Sequence, residues 1–134
     1  MTKSAETAHD LVVFGATSFV GQILTRYLLE TYGVGQSVKW AIAGRSESKL
    51  NTLKSSLGDK ARDLPVILAD AADDVALKSM CEQTRVIIST VGPYALYGEP
   101  LIAACVEAGT DYCDLTGEVH WIKQMLTKYE ARAK

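Results

Sequence analysis

Short apolar runs alternate along this chain with longer stretches that are apolar on one side only. The runs occupy residues 11–14, 38–43, 64–69, 86–90 and 111–115. Each closes on turn chemistry: Gly15, Gly44, Asp70, Gly92-Pro93 and Gly117. Continuous runs rich in Val and Ile predict strands buried on both faces of a parallel sheet.

The stretches between them have helical spacing. Residues 19–32 set Val20, Ile23, Leu24, Tyr27 and Leu28 on one stripe. Residues 46–57 open on Ser46, a favoured N-cap type, align Leu50, Leu53 and Leu57, and stop at Gly58. Residues 73–83 carry Val75, Ala76, Leu77 and Met80. Residues 100–108 carry Leu101, Ile102, Cys105 and Val106 and stop at Gly109. A last helix is expected over 118–131, with Trp121, Ile122, Met125, Leu126 and Tyr129 facing inward.

Strand–helix units joined by right-handed crossovers predict an α/β fold, a doubly wound parallel sheet with helices on both faces. The expected strand order is 3-2-1-4-5. The six-stranded form of such a sheet needs one more strand after Lys134. The expectation is therefore a single domain over 1–134 that lacks the sixth strand, with substrate-binding parts beyond it.

Composition removes several function classes. The net charge is -2 and the basic residues are scattered, so nothing points to nucleic acid or to an anionic membrane surface. No run approaches the roughly 20 apolar residues of a membrane span, and the polar start MTKSAETAHD lacks a signal-peptide core. Cys81, Cys105 and Cys113 form no Cys-x-x-Cys pair. They read as reduced thiols of a cytoplasmic protein. With His9 and His120 as the only imidazoles, no metal site is expected.

The chemistry-bearing positions lie where strands end. Gly15 permits a tight turn after the first strand, and Gly21 permits close approach one turn into the helix. Between them, Thr17 and Ser18 offer hydroxyls, and Phe19 and Val20 open the helix whose N–H groups face a pyrophosphate. A third glycine of such a loop would fall at 18, where Ser18 stands. Its hydroxyl either donates to phosphate or is merely tolerated there. The alternative is a turn that only packs.

At the end of the second strand, Gly44, Arg45 and Ser46 stand where an acidic residue would select the ribose hydroxyls of NAD. An Arg there forks onto a 2′-phosphate, which favours NADP, with NAD second. Glu47 and a solvent-facing Arg45 keep the alternative open. Asp70 ends the third strand, where it can accept from an adenine amino group or from a nearby backbone N–H. Thr90, Val91 and Gly92 end the fourth, beside the ribose and nicotinamide. No Tyr-x-x-x-Lys pair, nucleophile elbow or His-Glu-x-x-His motif supplies a catalytic group. Tyr94, Tyr97, Glu99 and Glu118 lie at the ligand-binding ends of strands without being assigned a catalytic role.

Together, LVVFGATSFVGQ, AIAGRSESKL and STVGPYALYGEPLIAACVEAGTDYCDLTGE resemble the N-terminal domain of saccharopine-dehydrogenase-like oxidoreductases. The similarity runs from Leu11 to about Glu130, and its most specific blocks are VGPYALYGEP and DLTGE. The trans-acting enoyl reductases of lipid synthesis are similar in the same blocks. The resemblance implies an NAD(P)-binding Rossmann domain, hydride transfer, and a larger substrate and dimerisation domain outside 1–134. It implies a small-molecule or lipid-like substrate, a homodimer formed through that second domain, and no activity for 1–134 alone. Ser18 departs from the family's usual glycine. A non-catalytic nucleotide-binding or scaffold module is the alternative function. A nucleotide-sugar epimerase domain would need the absent Tyr-x-x-x-Lys pair.

Overall fold

The apolar runs become five parallel strands: β1 (His9–Phe14), β2 (Trp40–Gly44), β3 (Val66–Leu68), β4 (Thr84–Ser89) and β5 (Asp111–Asp114). The computed structural model describes residues 7–134. The first six residues of the polar N-terminal stretch, and the signal-peptide reading made on them, lie outside these. The strands form one sheet in the order β3-β2-β1-β4-β5, as expected.

Registers tie the sheet together. Val13 pairs with Ile42 on one side and Ile88 on the other, and Ile88 pairs with Cys113. Side chains alternate, so neighbours in β1 serve different cores. Val12 and Phe14 pack with Leu77 and Met80 of α3 (Asp74–Glu82) and Leu101 of α5 (Glu99–Ala108). Val13 packs with Leu28 and Leu29 of α1 (Phe19–Tyr32) and Leu50 and Leu53 of α2 (Glu47–Ser56). Burying such a side chain fully contributes roughly 1.5–3 kcal/mol each.

Two helices depart from a simple layer. The four-residue helix α4 (Tyr94–Tyr97), which the apolar pattern does not signal, follows the cis Gly92–Pro93 peptide. The last helix, α6 (Val119–Ala133), packs on α5 rather than on the sheet. Trp121, Met125 and Tyr129 are buried there with Tyr94, whereas Leu126, expected inward, is 55% exposed.

Of the stripe expected to bury α1, Leu28 is in the core, and Val20, Ile23 and Tyr27 are turned away from it. Leu24 is half-buried, and the buried edge is Gly21, Thr25, Leu28 and Leu29. The cause is Gly21. A Cβ there would collide with the Gly15 carbonyl oxygen and the Ala16 backbone. This contact rotates the helix so that Gly21 and Thr25 face the sheet. Thr25 is tolerated in the core because its hydroxyl donates to the Gly21 carbonyl at 2.7 Å. Val75 of α3 also points outward, at 80% exposure.

Candidate functional site

The strand order reverses direction between β1 and β4, and the loops that leave these two strands meet there. Ligand crevices of open α/β sheets form at such a reversal, outside the carboxyl ends of the strands. Thr90 N–H donates to Phe14 O at 2.9 Å, and the Thr90 hydroxyl donates to Gly15 O at 2.7 Å. Gly15 N–H donates to Ala43 O at 2.9 Å, and Ala69 N–H to Gly44 O at 2.9 Å. The expected positions Gly15, Gly44, Asp70, Thr90, Val91 and Gly92 thus lie along one edge of the sheet.

Gly15 has φ +84°, and a Cβ on it would come within 2.6 Å of Val91 Cγ2 and 2.7 Å of Thr90 Oγ1. An L residue is strained at that φ and has no room beside β4. The first glycine therefore serves both the turn and the junction of the two loops.

Ser18 is the N-cap of α1, in an extended conformation with φ -67° and ψ 166°. A serine occupies this position without left-handed strain. Its Oγ accepts from Gly21 N–H at 3.0 Å and lies 3.0 Å from Thr90 Oγ1. The single Thr90 proton is already directed at the Gly15 carbonyl, so Ser18 supplies the proton of the Ser18–Thr90 bond. The hydroxyl is thereby engaged within the protein.

The N–H groups of Thr17, Phe19 and Val20 find no acceptor among the described residues. They sit at the positive end of α1, as orphan donors of a helix terminus. Phe19 is 81% exposed, which leaves the approach to this turn open.

At the end of β2, Gly44 is buried beneath Leu50 and Arg45 is exposed. Arg45 has no hydrogen bond or ion pair among the described residues. Ser46 caps α2, its Oγ accepting from Lys49 N–H at 3.3 Å. Asp70 is exposed, and its Oδ1 accepts from Ala72 N–H at 2.9 Å, closing the turn before α3. A groove of about 440 Å³ between α1 and α2 is lined by Thr17, Gln22, Ser48 and Lys49.

Three of the polar residues flagged after β4 and β5 are held in structural bonds. The Tyr94 hydroxyl donates to Ser89 O at 3.1 Å, and burial raises the phenol above its ordinary pKa. It is a fixed donor to a carbonyl, poorly suited to release a proton. Glu118 accepts from Tyr94 N–H at 2.7 Å and Ala95 N–H at 3.1 Å, so it caps α4 from across the chain. Glu99 accepts from Lys128 and from the Tyr129 hydroxyl, tying α5 to α6. Tyr97 remains 47% exposed. Beside them, Tyr112 donates to Asp114, and burial together with that carboxylate pushes its phenol far above the ordinary value. The sequence reading missed Gly98, where a Cβ would come within 2.8 Å of the Tyr94 carbonyl oxygen and crowd the Trp121 ring. The Tyr-Gly-Glu-Pro run before a helix was its only sequence signal.

Among the described residues, no cluster of His, Cys, Asp and Glu could hold a metal ion, and no helix is long and apolar enough to cross a membrane.

Comparison with known proteins adds to this geometry. The profile of the saccharopine dehydrogenase NADP binding domain matches residues 11–134. A trans-acting enoyl reductase of Mycobacterium tuberculosis (strain ATCC 25618 / H37Rv) is 42% identical over 129 residues, covering 96% of this chain and 30% of that protein. One from Mycobacterium ulcerans (strain Agy99) is 39% identical over 130 residues, again 30% of its length. The chain thus spans under a third of the curated relatives it matches. Among solved structures, apo saccharopine dehydrogenase (L-Glu forming) from Saccharomyces cerevisiae aligns with TM-score 0.64 at 17% identity, over 85% of this chain and 24% of that one. AtPrR2 in apo form aligns with TM-score 0.65 at 19% identity, over 92% and 46%. At these identities the structural matches speak for the fold.

Proposed function

The chain belongs to the saccharopine dehydrogenase NADP-binding domain family, and from that premise we propose that it is the cofactor-binding part of a longer NADP-dependent oxidoreductase. The observation that carries this reading is the open turn after β1. Three N–H groups without a partner among the described residues, those of Thr17, Phe19 and Val20, lie beside a glycine that has no room for a Cβ. That arrangement fits a pyrophosphate. Arg45, exposed and without a partner at the next strand end, fits a 2′-phosphate.

In this reading Gly15, Thr17, Ser18, Phe19, Val20 and Gly21 form the diphosphate turn, with Ser18 acting through its cap. Gly44, Arg45 and Ser46 hold the adenosine ribose and its phosphate. Asp70 flanks the adenine. Thr90, Val91 and Gly92 wall the nicotinamide end, where Glu118 keeps the following turn in place. Bound NADPH supplies a hydride, and the protein supplies its position and the field around it.

The curated relatives' name favours reduction of an enoyl group over oxidation of an amino acid. A lipid-like enoyl substrate, the residues that protonate it and a dimer contact would belong to the polypeptide outside this stretch. The protein would work in the cytoplasm. The alternative, a nucleotide-binding module without chemistry, is favoured by the structural bonds of Tyr94, Glu99 and Glu118. NADPH oxidation by the full-length protein with an enoyl thioester would rule it out.

Thermal unfolding tests the cofactor assignment. NADPH at about 100 times its Kd should stabilise the fold by ~2.7 kcal/mol, seen as a rise of several degrees in Tm. NADH at the same concentration should shift it less.

A further inference from the structure

The two faces of the sheet are covered unequally. In a parallel ladder, paired residues point to the same face. Leu11 and Val13 face α1 and α2. Val86 and Ile88 are registered against them, and Asp111 and Cys113 against those. On the opposite face, Ile87 is closed over by α3 and α5. On the α1 face, Val86, Ile88 and Cys113 belong to none of the buried clusters among the described residues. Val86 and Ile88 are only half-buried although β4 is paired on both sides, and Cys113 is exposed. Strands of a doubly wound sheet are normally covered on both faces.

Helix α1 extends this bare patch. Gln22 faces the groove toward α2. At about 100° per residue, Val20, Leu24 and Tyr27 fall on the other flank, beside β4. Val20 is 39% and Tyr27 56% exposed. The patch is therefore a notch with α1 as its wall and β4–β5 as its floor. This explains the part of its apolar stripe that α1 does not bury in the core.

We propose that an amphipathic helix from the same protein, contributed by the part of the relatives' length that this chain does not span, fills this notch. The proposal rests on the reading of the chain as one part of a longer oxidoreductase. The relatives matched here continue over more than two thirds of their length outside the match. A notch with a helical wall and a sheet floor fits one more helix of the same layer. A second copy would present another notch to this one and leave both floors uncovered. The occupant carries branched apolar residues toward Val86 and Ile88, and a polar outer face.

The test uses the full-length protein. In a Tyr27→Cys variant, maleimide labelling at position 27 is followed by mass spectrometry in the native and urea-unfolded protein. Protection of about a hundredfold or more, unchanged on dilution, is expected. Cys113 is followed alongside. It is the weaker reporter, because desolvation of the thiol against the sheet and the Asp114 charge raise its pKa and slow it without any cover. A photoreactive benzoylphenylalanine at position 27 should crosslink to a peptide from outside 1–134. Labelling near the unfolded rate would overturn the proposal. So would a crosslink to a second copy, or protection lost on dilution. The cofactor reading fails separately: a protected notch without NADPH binding overturns that reading alone, and NADPH binding with an open notch overturns only the covering helix.

Discussion

The hydroxyls of Ser18 and Thr90 lie 3.0 Å apart, joining two loops separated by 72 residues of sequence. Through this pair the N-cap of α1 is fixed to the end of β4, and the Thr90 hydroxyl in turn holds the Gly15 carbonyl. The serine in the glycine loop is a brace of the crevice. In the proposed NADP site it would act through the N–H groups it leaves in place.

That brace separates two substitutions. Ser18→Ala removes the cap and should destabilise the protein by about 1 kcal/mol. Ser18→Gly should cost only a few tenths of that. Both should keep NADPH affinity within roughly threefold, since the hydroxyl proton goes to Thr90. Urea unfolding and NADPH titration check the pair. A tenfold or greater affinity loss in a stably folded Ser18→Ala would show that the hydroxyl binds phosphate directly.

Gly21→Ala meets backbone, which has no room to give. Overpacking of this kind should destabilise by roughly 1–3 kcal/mol. The midpoint of urea unfolding should fall accordingly. A change under ~0.5 kcal/mol would mean that α1 does not lie against Gly15 as described.

Glu118→Ala strips the acceptors from the Tyr94 and Ala95 N–H groups. Water can reach the exposed Ala95 N–H, so losing this cap should cost about 0.5–2 kcal/mol, as for other side-chain caps. Glu118→Gln keeps one amide oxygen and should cost less. Hydrogen exchange at Tyr94 and Ala95 should quicken most in the alanine variant.

The tie between Glu99 and Lys128 predicts a pH effect. The Lys128 and Tyr129 hydrogen bonds hold the Glu99 carboxyl below its ordinary value. A lowered carboxylate pKa stabilises the fold above the unfolded pKa, and that share is lost as pH falls through the folded one. Below about pH 4.3 the wild type should lose stability faster than Glu99→Gln, which carries no titrating group there. The pair is solvent-exposed, so the effect should be small. Thermal melts across pH 3 to 6 read it.

The sheet and its order were legible because parallel strands near its centre leave continuous apolar runs, as in β1 and β2; β5 occurs where expected although its sequence Asp-Tyr-Cys-Asp is not an apolar run and it is not buried on both faces. Residues 19–32 marked α1 to the residue. Its facing was not legible, because a close glycine contact and a bonded threonine outweigh an apolar stripe, and neither has a periodic signature. The loop residues were found by type and position. That the Ser18 hydroxyl is engaged within the protein depends on the Thr90 hydroxyl, which is remote in sequence. Glu118 could be placed at a strand end but given no role, because sequence marks strand ends without saying what a carboxylate meets there; it meets the Tyr94 and Ala95 N–H groups.

In the proposed site, Arg45 and the N–H turn hold NADP. Calorimetric titration of full-length wild type and Arg45→Ala with NADPH and NADH tests it most directly. Wild type should bind NADPH more tightly than NADH, and Arg45→Ala should lose about 10- to 100-fold for NADPH, as for a charged hydrogen bond worth ~1.5–3 kcal/mol, with NADH little changed. Equal losses for both, or a folded wild type that binds neither, would contradict it.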